Sequence, residues 1–136
     1  MRVYEITAEF GWEGDDGLGD RLIQQIIDGT KTATCGFKAA YSANELTEIL
    51  GNKGTVITVV DHSGIPRCNI RILDVFETPF GDPDMRLVRG EGDGEDVAKF
   101  QADHAIAWQV DFGSAPLSAN EMLVVELFEL VEVAGD

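Results

Sequence analysis

The sequence is short of basic residues. Only 10 Lys and Arg accompany 25 Asp and Glu, which gives a formal net charge of -15 over 136 residues. Duplex nucleic acid is bound largely through phosphate contacts from Lys and Arg, so this shortage argues against duplex DNA as a partner. The charge is compatible with a small nucleoside-type ligand, or with a short single-stranded RNA held in a local positive pocket.

Signals for membranes, secretion and metals are also missing. No apolar run reaches the roughly 18 residues of a membrane span, so we expect no membrane partner. The N-terminus shows no secretory signal. Cys35 and Cys68 are too few for a disulfide framework, which predicts reduced thiols and a cytoplasmic location. Because no C-x-x-C or H-x-x-x-H spacing is present, we expect no metal and no cofactor.

Hydrophobic periodicity predicts one α+β domain over residues 1–136, with residues 1–17 as an N-terminal arm and acidic loop. Helix-like and strand-like segments alternate. The strands are too many for two helices to cover if the sheet is flat. We therefore expect a small, strongly bent sheet or barrel with flanking helices. The predicted order begins with a helix from Leu18, a strand from Thr32 and a helix after the capping box of Ser42 and Glu45. A hairpin beginning at Thr55, a strand through Val75 and Phe76, the acidic loop, a helix capped by Asp93 and a strand over Met122 to Val133 follow.

The turn Gly29-Thr30-Lys31-Thr32-Ala33-Thr34 carries the first candidate site. A helix commonly ends at a Gly in the left-handed conformation, and the β-branched residues that follow favour an extended strand. Because the backbone still turns here, Lys31 and Thr34 could converge on one cavity. The alternative is a simple helix-to-strand turn with an exposed Lys.

Two further stretches supply polar candidates. In the predicted hairpin, Arg67, Asn69 and Arg71 share a face that is solvated or lines a site. Farther along, Val97, Phe100, His104 and Trp108 fall on one stripe of the last predicted helix. His104 on such a stripe is either a hydrogen-bonded core residue or a site residue.

These motifs together resemble the ASCH domain family of the PUA-like superfamily. The resemblance covers roughly residues 18–128 and rests on the G-x-K-T-x-T turn, the hairpin and the loop Glu91-Gly92-Asp93-Gly94-Glu95, in that order. It implies a PUA-like β-barrel with flanking helices. It also implies a role in RNA binding, in RNA cleavage, or in hydrolysis of the amide of N4-acetylcytidine.

Carried over residue by residue, the resemblance implies that Lys31 and Thr34 are catalytic. The catalytic acid corresponds most closely to Asp93, with Glu91 as the other candidate. The chain departs from the family pattern in having Asp for Glu at the second acidic position and Phe100-Gln101 where the family often has Trp-Arg. We further expect four substrate contacts, from Thr32, Arg67, Arg71 and His104.

This set of side chains permits amide hydrolysis. Thr34 offers a hydroxyl nucleophile, a desolvated Lys31 can act as a base, and Asp93 or Glu91 can orient Lys31 or transfer a proton. Water could equally be the nucleophile. Three alternatives remain: a binding module for RNA or a modified nucleotide, a weak single-strand ribonuclease using Lys31 and His104, and a plain ion pair between two loops.

Overall fold

The structure, a computed structural model, describes residues 1–112 and 118–135, and over residues 105–112 it describes the backbone alone. The strands are β1 (Thr7–Phe10), β2 (Ala33–Phe37), β3 (Val56–Asp61), β4 (Pro66–Pro79) and β5 (Met122–Val133). The helices are α1 (Leu18–Asp28), α2 (Ala43–Leu50), α3 (Met85–Gly90) and α4 (Val97–Phe112), with a 3-10 turn at Lys38–Ala40. The α+β class expected from the sequence is confirmed.

The five strands form one mixed sheet in the order β1-β3-β4-β5-β2. The β1–β3 pair is parallel and the other pairs are antiparallel. The N-terminal arm therefore contributes an edge strand. Register shifts between Asn69 and Ile70 and between Ile72 and Asp74 mark irregularities that bend the long strand β4 against β5. Within the described residues β1 and β2 are not paired with each other, so closure into a barrel stays a prediction.

Two hydrophobic clusters hold helices against the sheet. The first packs Ile23 and Ile26 of α1 onto β3, β4 and Phe128. The second joins α3 and the start of α4 to β2 and β5, and its members are Ala33, Phe37, Phe80, Leu87, Val88, Phe100, Leu123 and Val125. Because neighbouring residues of a strand point to opposite faces, β2 and β5 place alternate side chains into the second cluster. This cluster forms the floor of the candidate site.

Two local expectations are wrong. Asn69 was expected on a face that is solvated or lines a site, but it is fully buried: its Oδ1 accepts from Thr58 Oγ1 at 2.7 Å, and its Nδ2 donates to Arg2 O at 2.8 Å. The N-terminal arm covers this face of the hairpin and satisfies the amide. The last helix begins at Val97, and its first turn is capped by Asp96, whose Oδ1 accepts from Lys99 N, rather than by Asp93.

The apolar stripe of the last helix is only partly described. Phe100 is fully buried and packs against Phe80, with ring centroids 6.4 Å apart. The Trp108 side chain falls outside the described residues. No helix in the described ranges has the length and apolar character needed to cross a membrane.

Candidate active site

The end of α1 fixes the position of Lys31. Gly29 ends the helix with φ +86°, a left-handed conformation that glycine adopts without steric penalty. The Gln25 carbonyl then accepts from both Thr30 N and Lys31 N, at 3.0 and 3.1 Å. These bonds turn the chain sharply, so the Lys31 side chain is directed into the protein and is only 3% exposed.

Glu91 is brought to Lys31 by the short helix α3, which the sequence analysis did not predict. Gly90 is the last residue of α3 and packs directly on Ala33, and its carbonyl accepts from Thr32 N at 2.6 Å. Glu91 follows at once, so its side chain lies over the start of β2. Asp84 caps α3 by accepting from Arg86 N, and an Asp, a favoured N-cap residue, is the local signal that could have revealed the helix.

Lys31, Glu91 and His104 form one hydrogen-bonded chain. Lys31 Nζ donates to Glu91 Oε1 at 2.8 Å and to Ala33 O at 2.6 Å. Glu91 Oε2 lies 3.0 Å from His104 Nε2, and His104 Nδ1 lies 2.9 Å from Phe100 O. The side chains of Glu91 and His104 are 7% and 16% exposed. The histidine is thus part of the site and not an isolated core residue.

The charges around Glu91 favour its ionised form. Burial raises the pKa of a carboxyl group, but the Lys31 ammonium and the His104 hydrogen bond outweigh burial, and the pKa of Glu91 lies below its ordinary value. Lys31 uses two of its three N–H donors on acceptors. This geometry suits Lys31 to stabilise negative charge as a hydrogen-bond donor.

Cys35 lies next to the hydrogen-bonded side chains of Glu91 and His104, although its sequence position did not place it in the site. Its Sγ, a Glu91 oxygen and a His104 ring nitrogen all lie within 4.8 Å of one another. Burial, reinforced by the Glu91 carboxylate, raises the pKa of the Cys35 thiol well above its ordinary value. The alternation of side chains along a strand was the signal that could have indicated this position, because it places Cys35 on the same face of β2 as Ala33.

A family model described as the ASCH domain matches residues 8–132. The chain belongs to the ASCH domain family. Its fold is similar to a crystal structure of a protein from Enterococcus faecalis, with a TM-score of 0.74, 22% identity, and coverage of 98% of this chain and 80% of that one. An ASCH domain from Lactobacillus crispatus gives a TM-score of 0.73, 22% identity, and coverage of 95% and 82%. The search of curated proteins returned no significant match.

The two acids of the ASCH acidic loop occupy different places. Glu91 contacts Lys31, whereas Asp93 accepts from Lys99 Nζ at 2.8 Å. In the described structure no hydrogen bond or ion pair joins Asp93 to Lys31. The sequence alignment with the motif favoured Asp93, but the geometry favours Glu91 as the partner of Lys31.

The two threonines of the ASCH turn lie apart from this chain of contacts. Thr34 is half-buried on the face of β2 opposite Ala33 and Cys35, and its cross-strand partner is Glu126. Burial raises the pKa of the Glu126 carboxyl. Thr32 is exposed, and its backbone bonds Gly90 and Phe128. Within the described residues neither threonine has a hydrogen bond to Lys31 or Glu91.

The two hairpin arginines are each held by acids. Arg67 Nη1 lies 3.0 Å from Asp20 and 3.4 Å from Asp61, and Arg71 Nη1 lies 2.9 Å from Glu129. No contact in the described ranges joins either arginine to Lys31. The structure therefore assembles Lys31, Glu91, His104 and Cys35, and leaves the arginines in surface ion pairs.

Proposed function

We propose that this ASCH domain hydrolyses the amide bond of an acylated nucleobase, with an N4-acetylcytidine-like nucleoside as substrate. The observation that carries the proposal is the 2.8 Å pair between Lys31 of the K-T-x-T turn and Glu91 of the acidic loop, both nearly excluded from solvent. The family resemblance implies a Lys and an acid from these two segments, and the fold brings such a pair together.

Amide hydrolysis requires a proton acceptor, a group that stabilises the oxyanion and a proton donor for the leaving amine. Glu91 is suited to accept a proton from an attacking water because its lowered pKa keeps it ionised at neutral pH. The water oxygen then bonds to the acyl carbon, and the Lys31 ammonium stabilises the negative charge that forms on the carbonyl oxygen. The C–N bond breaks as the proton on Glu91 passes to the amine, which releases the free base and a carboxylic acid that then loses its proton to water.

His104 has a positioning role in this scheme. Its Nε2 contacts Glu91 Oε2, while Phe100 O holds its Nδ1. The imidazole thus fixes one carboxylate oxygen, and Lys31 fixes the other. Water as the nucleophile fits the geometry better than the Thr34 hydroxyl, because Thr34 lies on the opposite face of β2.

The charge distribution supports a small uncharged substrate over an RNA strand. A polymer with many phosphates would meet a net charge of -15. Arg67 and Arg71, the cations expected to contact phosphate, are each paired with carboxylates. The alternatives of an RNA-binding module and a single-strand ribonuclease therefore rank below the hydrolase.

The experiment is to incubate purified protein with N4-acetylcytidine and to follow the release of cytidine and acetate. We expect turnover by the wild type and none by Lys31→Ala. Equal rates for the two proteins would show that Lys31 has no role in catalysis. If the wild type shows no turnover but binds single-stranded RNA with an affinity that falls as salt increases, the binding-module function would replace this proposal.

A further inference from the structure

Three side chains with metal-ligating atoms meet beside the floor of the site, and they come from three separate elements. Cys35 lies on β2, Glu91 follows α3, and His104 lies on α4. One ligand atom from each residue lies within 4.8 Å of the other two. Because 56 positions separate Cys35 from Glu91, no local spacing in the sequence indicates this cluster.

The separations come close to those of a tetrahedral zinc site. With zinc–ligand bonds of about 2.0–2.3 Å, neighbouring ligand atoms lie roughly 3.3–3.7 Å apart. Glu91 Oε2 and His104 Nε2 are now 3.0 Å apart, so each needs to move only a few tenths of an ångström. The Cys35 sulfur must move inward by up to about 1 Å, which a change of its χ1 angle can supply.

The hydrogen bonds around His104 and Glu91 resemble those that orient metal ligands. His104 Nδ1 lies 2.9 Å from Phe100 O, and a ligating histidine typically uses its second nitrogen for this kind of orienting bond. Lys31 engages Glu91 Oε1 and leaves Oε2 turned towards His104. A metal ion would then lie between Nε2 and Oε2 in place of their direct contact.

We propose that Cys35, Glu91 and His104 form a binding site for one Zn²⁺ ion. The thiolate and the imidazole are the ligand types that select zinc over magnesium or calcium, and a carboxylate is also a regular zinc ligand. On binding, the Cys35 thiol releases its proton, and the thiolate and Glu91 together neutralise the ion. Three protein ligands leave a fourth position for water, as in catalytic rather than structural zinc sites.

The nearby cation limits the affinity but does not exclude the ion. Lys31 lies 2.8 Å from Glu91 Oε1 and would repel Zn²⁺ across the carboxylate. A carboxylate that bridges an ammonium and a metal offers a different oxygen to each. The metal site shares Glu91 and His104 with the proposed hydrolase site, but metal binding is measured on the protein without substrate, so the failure of one proposal is distinguishable from the failure of the other.

Cobalt is the probe, because Co²⁺ occupies zinc sites and a cobalt–thiolate bond gives an ultraviolet charge-transfer band. The chain has only two cysteines, so the band can be assigned by substitution. Titration of the reduced protein with Co²⁺ should saturate at one equivalent and give visible bands of a tetrahedral ion. Zn²⁺ should displace the cobalt and remove all of these bands.

The variants identify the ligands. Cys35→Ser should lose the charge-transfer band, whereas Cys68→Ala, the matched control in the core, should keep it. His104→Ala should weaken Co²⁺ binding at least tenfold, and circular dichroism of each variant without metal checks that it is folded. The proposal is overturned if the wild type gives no charge-transfer band, if Cys35→Ser retains it, or if folded His104→Ala binds as tightly as the wild type.

Discussion

Lys31 and Glu91 are 60 positions apart in the chain, yet Lys31 Nζ lies 2.8 Å from Glu91 Oε1 with both side chains almost fully buried. Removing two charges from water is costly, and their attraction offsets that cost only while both partners are present. The pair connects the end of α1 to the end of α3. It therefore affects folding and, under the proposed function, catalysis.

The first prediction concerns stability. Glu91→Gln leaves the buried Lys31 charge without its counter-ion, and we expect a loss of about 3–5 kcal/mol in the free energy of unfolding. Urea denaturation at neutral pH measures it. Asp93→Asn is the matched control, because the Asp93 side chain is as little exposed as that of Glu91, at 7%, but its partner Lys99 is exposed. Its loss leaves no buried cation without a counter-ion and should cost no more than about 1 kcal/mol.

Together with Lys31→Met alone, the double variant Lys31→Met with Glu91→Gln completes a double-mutant cycle. Because it removes both charges, its stability should recover to within about 2 kcal/mol of the wild type. A Glu91→Gln variant as stable as the wild type would show that the pair is not buried as described.

The second prediction concerns pH. The pKa of Glu91 is lowered in the folded protein, so its stabilising contribution is fully present above the ordinary Glu value of 4.5 and is lost as the pH falls through the lower folded value. The wild type should therefore lose more stability than Glu91→Gln when the pH is lowered from about 6 to about 3. Thermal unfolding across that range tests it, and parallel curves for the two proteins would contradict it.

The third prediction concerns the contact that positions Glu91. A Cβ at residue 90 would overlap the Ala33 Cβ and lie 3.0 Å from Ala33 N, so Gly90→Ala must push α3 away from β2. We expect a loss of about 1–3 kcal/mol, as for other overpacked sites. Gly51→Ala is the control, because φ at Gly51 is -79° and the nearest atoms to an added Cβ are 3.4 Å away.

Gly51→Ala should leave stability unchanged or raise it by up to about 1 kcal/mol, since it restricts the unfolded chain. Chemical denaturation of both variants measures the difference. If Gly90→Ala matched Gly51→Ala in stability, the close packing of α3 on β2 would be refuted.

Local signals predicted much of this fold. The left-handed Gly29 after α1 and the capping box from Ser42 to Glu45 depend only on neighbouring residues, and both are present in the structure. The burial of Asn69 depends on the N-terminal arm crossing the hairpin, which no local pattern records. Whether a polar residue is exposed therefore depends on contacts with segments that are distant in the sequence.

The candidate site shows the same division. Lys31 was found from its turn, but the choice between Glu91 and Asp93 depended on where α3 ends. Aligning a motif compares positions along the chain, so it does not show which of the two acids the end of α3 places beside Lys31. Cys35 was missed because its role arises only when β2, α3 and α4 meet.

The last prediction tests the proposed function at the two acids of the loop. Glu91→Gln keeps the shape of the side chain but cannot accept a proton, so N4-acetylcytidine hydrolysis should fall at least ~100-fold, as for removal of a general base. Asp93→Asn removes a carboxylate only two residues away, but its partner is Lys99, so the rate should stay within about threefold of the wild type. Initial rates at saturating substrate, with circular dichroism to show that both variants are folded, make the comparison.

Because Glu91→Gln is also expected to be less stable, rates are compared at a temperature where both variants remain folded. A large loss in Asp93→Asn with near-normal turnover in Glu91→Gln would transfer the acid–base role to Asp93, and would mean that the buried Lys31–Glu91 pair only holds the two loops together.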